Sequence, residues 1–97
     1  MNNTKSFKAG AIFYKSQHAM ERCAQRAITD SVLELAIIFG QERQAGHGCI
    51  SIYIDKTAKQ EIREHIGSKQ FAQMESQLSG LYLIMADDKI VTSARAH

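Results

Sequence analysis

The 97 residues suffice for one domain with a modest core, and hydrophobic and charged fractions of 44% and 23% exclude global disorder. Twelve basic against ten acidic side chains leave a formal net charge of +2, too small an excess to mark a nucleic-acid binder by composition alone. No segment approaches the roughly 20 apolar residues of a membrane span or the apolar run of a signal peptide, so a cytoplasmic location is expected.

Residues 1–10 are polar and end in a glycine, and are expected to form a flexible N-terminal arm before a single domain over 11–97. Ala11 to Lys15 (AIFYK) is short, apolar and aromatic, and predicts an extended segment or edge strand. Ser16 is a natural N-cap for a helix to about Arg26. Met20, Cys23, Ala24 and Ala27 form its expected core stripe, with His18, Arg22, Gln25 and Arg26 on the opposite side. Thr29 caps a second helix with Asp30 in its first turn, and Ile28 and Leu33 are spaced for a hydrophobic staple. The body of this helix, Val32 to Phe39, is apolar nearly all round and is expected to be the most buried, with Gly40 as its stop.

Residues 41–48 (QERQAGHG) read as a polar loop. Cys49 to Ile54 alternates as a strand. Asp55 caps a helix whose Ala58, Ile62 and Ile66 face the core. Gly67 stops it, and Ser68 is expected to cap a further helix carrying Phe71, Met74 and Leu78. Leu81 to Ala86 and Lys89 to Ser93 flank the turn pair Asp87-Asp88 and predict a C-terminal hairpin. The class expected is α+β, helices packed on a small, largely antiparallel sheet.

Charge is unevenly spread. Up to Arg26 the chain carries five bases, Lys5, Lys8, Lys15, Arg22 and Arg26, against the single acid Glu21. Such an asymmetry can steer an anionic partner toward one end. Within it, His18, Arg22 and Arg26 recur at one-turn spacing. Arginine binds phosphate bidentately and imidazole moves protons near neutrality, a combination suited to a phosphodiester. Metal-independent RNA cleavage needs little more, because the RNA 2′-hydroxyl is the nucleophile. The same pattern also fits a solvated helix face paired with Glu21.

Other chemistries find little support. Cys23 and Cys49 have no C-x-x-C spacing and read as reduced thiols. His47 lies in a glycine-flanked loop and His65 near a helix C-terminus. Neither H-x-x-x-H nor H-E-x-x-H occurs, so no metal site is expected. G-x-G-x-x-G, P-loop and G-x-S-x-G patterns are missing, and no cofactor is expected. Tyr53 and Tyr82 read as half-buried sheet residues, although a strand tyrosine can also stack on a base. A helix-turn-helix fails on chemistry, because the second helix offers a DNA groove almost nothing but aliphatic side chains.

The string Ser16-x-His18-Ala19-x-x-Arg22-x-x-x-Arg26-x-Ile28, followed by an apolar helix ending in Phe39-Gly40, resembles a family of small bacterial domains of unknown function. The similarity extends through Tyr53-x-Asp55-Lys56 to Ile90-Val91-Thr92. Such domains are distantly similar to the ribonuclease-toxin fold of RelE and BrnT. The resemblance implies a site at His18, Arg22 and Arg26, with Thr92 on the last strand. Where a basic or aromatic tail is expected, this chain offers only Arg95 and His97 as further catalytic groups.

Two functions are then expected as alternatives. One is a toxin-like, metal-independent endoribonuclease or an RNA-binding derivative, gripping RNA through Lys15, Arg22 and Arg26. The other is a non-enzymatic interaction protein of phage or plasmid origin, using the basic N-terminal end to bind an antitoxin-like protein or a nucleic acid.

Overall fold

The structure, a computed structural model, describes residues 13–95, Arg95 by its backbone alone. The expected arm over 1–10 and His97 lie outside the described residues. In chain order the elements are β1 (Tyr14–Lys15), α1 (Gln17–Arg26), α2 (Asp30–Phe39), β2 (Gln41–Gly46), β3 (Cys49–Tyr53), α3 (Lys56–Ile66), α4 (Ser68–Leu78), β4 (Leu81–Ala86) and β5 (Lys89–Arg95). The sheet order is β1-β5-β4-β3-β2, antiparallel except where β1 runs parallel to β5. This is the expected α+β class, with β4 and β5 as the C-terminal hairpin.

Local chemistry accounts for the helix starts. Ser16, Thr29 and Asp55 each accept a backbone N–H three residues on, from Ala19, Val32 and Ala58, which satisfies a donor no helical carbonyl can reach. α4 differs from expectation: its N-cap is Gly67, and Ser68 is its first residue. The Ser68 hydroxyl instead accepts from Arg63 Nε at 3.3 Å. α1 ends with Ala27 in the left-handed region at φ 54°, where its N–H reaches the Ala24 carbonyl and Ile28 N–H reaches that of Cys23. Gly40 stops α2 for a different reason from the expected one. Its φ is −67°, open to any residue, but a Cβ there would lie 2.5 Å from both the Ala36 carbonyl oxygen and Ile52 Cγ2. Glycine is required by close packing of α2 on β3.

The segment 41–48 is a strand and a turn, which corrects the expected loop. Gln41 pairs with Tyr53 and Gln44 with Ile50, and the connection is His47-Gly48, both at positive φ as a two-residue hairpin turn demands. β2 escapes recognition because it is the outermost strand and almost wholly exposed, so neither face selects apolar residues.

Every buried strand residue falls on one face of the sheet. Register aligns Ile52 with Leu83 and Leu83 with Ser93, and Met85 with Ile90 across a bulge. These pack against Ala19, Cys23, Val32, Leu33, Ala36, Ile37, Ala58, Ile62, Phe71 and Leu78 in one core. Leu35 of α2 is only partly buried, whereas Leu33 is fully enclosed. Among the described residues no helix covers the opposite face.

Candidate functional site

α1 owes its position to Ser16. The Ser16 N–H donates to the Ile90 carbonyl at 2.9 Å, and its hydroxyl donates to that of Val91 at 3.2 Å while accepting from Ala19 N–H at 3.0 Å. One short side chain therefore starts the helix and ties it to β5. Further along, Cys23 Sγ lies 3.5 Å from Ser93 Oγ, so α1 crosses β5 in the same general direction as the strand.

This docking rotates α1 from its expected orientation. Ala19 and Cys23 face the core, Met20 is 49% exposed, and Ala24 and Ala27 are exposed. The buried set has small side chains, which let the helix approach β5 closely; Met20 would hold it off. Arg22 and Arg26 consequently do not point away from the apolar face. They lie half-buried along its border, while His18 is exposed one turn before Arg22.

The cations differ in how they are held. Lys15 Nζ pairs with Asp30 Oδ1 at 2.7 Å, an ion pair whose acid is 71% exposed and which contributes little to stability. Arg26 lies in the last turn of α1, where the helix dipole favours a cation. The Arg22 Nε is buried and has no hydrogen-bond partner among the described residues. Glu21, the nearest acid in sequence, accepts instead from Gln17 Nε2 at 3.1 Å.

The other expected site residues are spread out. Arg95 pairs in register with Leu81, four residues along β5 from Val91, about 13 Å at strand rise. Its backbone thus lies toward the Arg26 end of α1 and away from the His18 end. Thr92 pairs with Ile84 on the helix-free face, while its neighbour Ser93 turns into the core. His47 occupies the β2–β3 turn, and the His65 ring packs against Phe39 with centroids 5.3 Å apart. Among the described residues no group of three or more His, Cys, Asp or Glu side chains could hold a metal ion.

The helix-free face carries a feature that sequence reasoning saw only in part. Tyr53 and Tyr82 are register partners on adjacent strands. Arg43, on the strand that had read as a loop, sits beside them: its Nη2 donates to Tyr53 Oη at 3.1 Å, and its guanidinium lies 5.0 Å from the Tyr53 ring centre. The alternation of Tyr53 and Tyr82 with core residues was the available signal. The placement of Arg43 had none.

The described residues thus form a two-layer α+β domain with a cationic helix docked near one edge of the sheet and, among them, no helix on the other sheet face. No protein-family model, no curated protein and no solved structure matches the chain. No helix among the described residues is long and apolar enough to cross a membrane.

Proposed function

We propose that the protein acts on RNA through α1, as a toxin-like, metal-independent endoribonuclease or an RNA-binding derivative of one. The observation that carries this is Arg22. A buried guanidinium nitrogen without a hydrogen-bond partner costs stability, and an outward shift of the side chain onto an incoming phosphate would relieve that cost. Arg26, one turn on, would hold the same backbone. His18, exposed one turn before, would transfer the proton between the 2′-hydroxyl and the leaving oxygen. The resemblance of the Ser16–Ile28 string to small bacterial domains akin to ribonuclease toxins supports the same reading.

The test is cleavage of single-stranded RNA by purified protein in excess chelator, wild type beside His18→Ala. General acid–base catalysis contributes roughly a hundred- to ten-thousand-fold, so the variant should lose most cleavage while still binding. Equal cleavage by both would remove His18 from the chemistry. A second reading, a non-enzymatic interaction protein, is favoured by the distance along β5 between the His18 end of α1 and Arg95, which leaves His18 without that helper. It predicts binding without cleavage, and cytoplasmic capture of an antitoxin-like or nucleic-acid partner.

A further inference from the structure

The helix-free face concentrates groups that the α1 reading does not use. Strand alternation places Tyr53 and Tyr82 on it as direct neighbours, with Cβ atoms about 5 Å apart at such a pair. Tyr14 pairs in register with Lys89 at the far corner, and Lys89 pairs with Ala86, so both belong to this face. All three tyrosines of the chain therefore lie on one side of the sheet, with Tyr14 58% exposed. Arg43 and Lys89 supply positive charge there. The one carboxylate within a described strand, Glu42, is in register with core-facing Ile52 and so belongs to the other side. Apart from the Asp87-Asp88 turn at one end, the face is positive and aromatic without acids.

Shape agrees with charge. Arg43, Ser51, Tyr53 and Tyr82 line an open depression of about 360 Å³. Arg43 commits one donor to Tyr53, and a guanidinium has five. One side of the guanidinium already lies over the Tyr53 ring, and its other donors can reach a phosphate. The two sides of the sheet meet at β1, where Tyr14 lies on the helix-free side and Lys15 reaches Asp30 on the helix side. A single strand could pass over this edge from α1 to the tyrosines without crossing the core.

We infer, resting on the RNA reading of α1, that this face is a base-stacking platform for single-stranded RNA, with Tyr53 and Tyr82 stacking bases and Arg43 contacting the adjoining phosphate. Stacking suits any base and requires it unpaired, so the platform selects single strands over duplex and reads little sequence. The partner class follows from chemistry: Arg43, away from the Asp87-Asp88 turn, suits a phosphate, and the aromatic rings of Tyr53 and Tyr82 beside it suit unstacked bases.

The chain contains no tryptophan, so its intrinsic emission comes from these three tyrosines and reports on the face directly. The experiment titrates wild-type protein with a single-stranded 12-nucleotide oligouridylate, following tyrosine emission and, with a fluorescein-labelled copy, anisotropy. Emission should fall in step with the rise in anisotropy, and a duplex RNA of equal length should compete poorly. Tyr53→Leu with Tyr82→Leu should weaken binding about tenfold or more, the contribution of one or two stacked bases. Anisotropy that rises while wild-type emission stays constant would overturn the platform and leave the α1 reading standing, whether or not the double variant folds. No binding of the oligonucleotide at low salt would overturn both. A wild-type protein that light scattering shows to be dimeric, reverting to monomer in Tyr53→Leu with Tyr82→Leu, would assign the face to a second copy of the chain and overturn the platform.

Discussion

Cys23 Sγ and Ser93 Oγ, seventy positions apart in the chain, meet at 3.5 Å inside the core, with Cys23 3% and Ser93 0% exposed. Ser93 is the one buried polar side chain among the described residues, and its contact with a weak thiol partner joins α1 to β5.

That pairing predicts an asymmetry. Ser93→Ala removes a hydroxyl and leaves only a thiol behind, which behaves as a small hydrophobe, so the cost should stay within about 1 kcal/mol. Cys23→Ala leaves a buried hydroxyl unpaired and a small void, and should cost about 1–3 kcal/mol. Urea unfolding of the two variants beside wild type measures both. A Ser93→Ala protein more destabilised than Cys23→Ala would refute the assignment.

α2 supplies a second prediction, because its apolar residues are not equally enclosed. Leu33 is 0% exposed, and Leu33→Ala should cost about 2–5 kcal/mol through lost transfer energy and the cavity left behind. Leu35 only flanks the core, and Leu35→Ala should cost clearly less. Thermal melting separates them, since 1 kcal/mol moves the midpoint by about 4–8 °C in a domain of this size. Equal shifts would mean that the helix is rotated from the orientation described.

A third prediction concerns Arg22. If its buried Nε awaits a ligand, Arg22→Met should keep the packing of the stem and leave the melting temperature unchanged or slightly raised, while RNA binding weakens. Arg22→Ala with Arg26→Ala should also flatten the dependence of affinity on salt, by about 0.7 in logarithmic slope for each phosphate of a single strand that is no longer neutralised. Affinity indifferent to salt in the wild type, or untouched in the double variant, would remove α1 from the RNA site.

Much of the local architecture is written in short stretches of chain. Ser16, Thr29 and Asp55 start helices by hydrogen bonds that reach three residues, and the Asp87-Asp88 turn folds β4 onto β5 within one hairpin. These features need nothing distant, so sequence alone determined the helices, β3, the C-terminal hairpin and the α+β class. β2, the rotation of α1 and the gathering of the tyrosines were decided only by tertiary structure. β2 is polar on both sides because it lies at the sheet edge, and its strand character comes from pairing with β3. α1 has two faces that could meet a core. Ala19 and Cys23 won over Met20 because the closest approach to Ser93 needs small side chains, and that choice drew Arg22 and Arg26 into the protein's margin. Tyr14, Tyr53 and Tyr82 share a face only because β1 and β5 are brought together across most of the chain. Pairing between strands so distant in sequence leaves no periodic trace within either one.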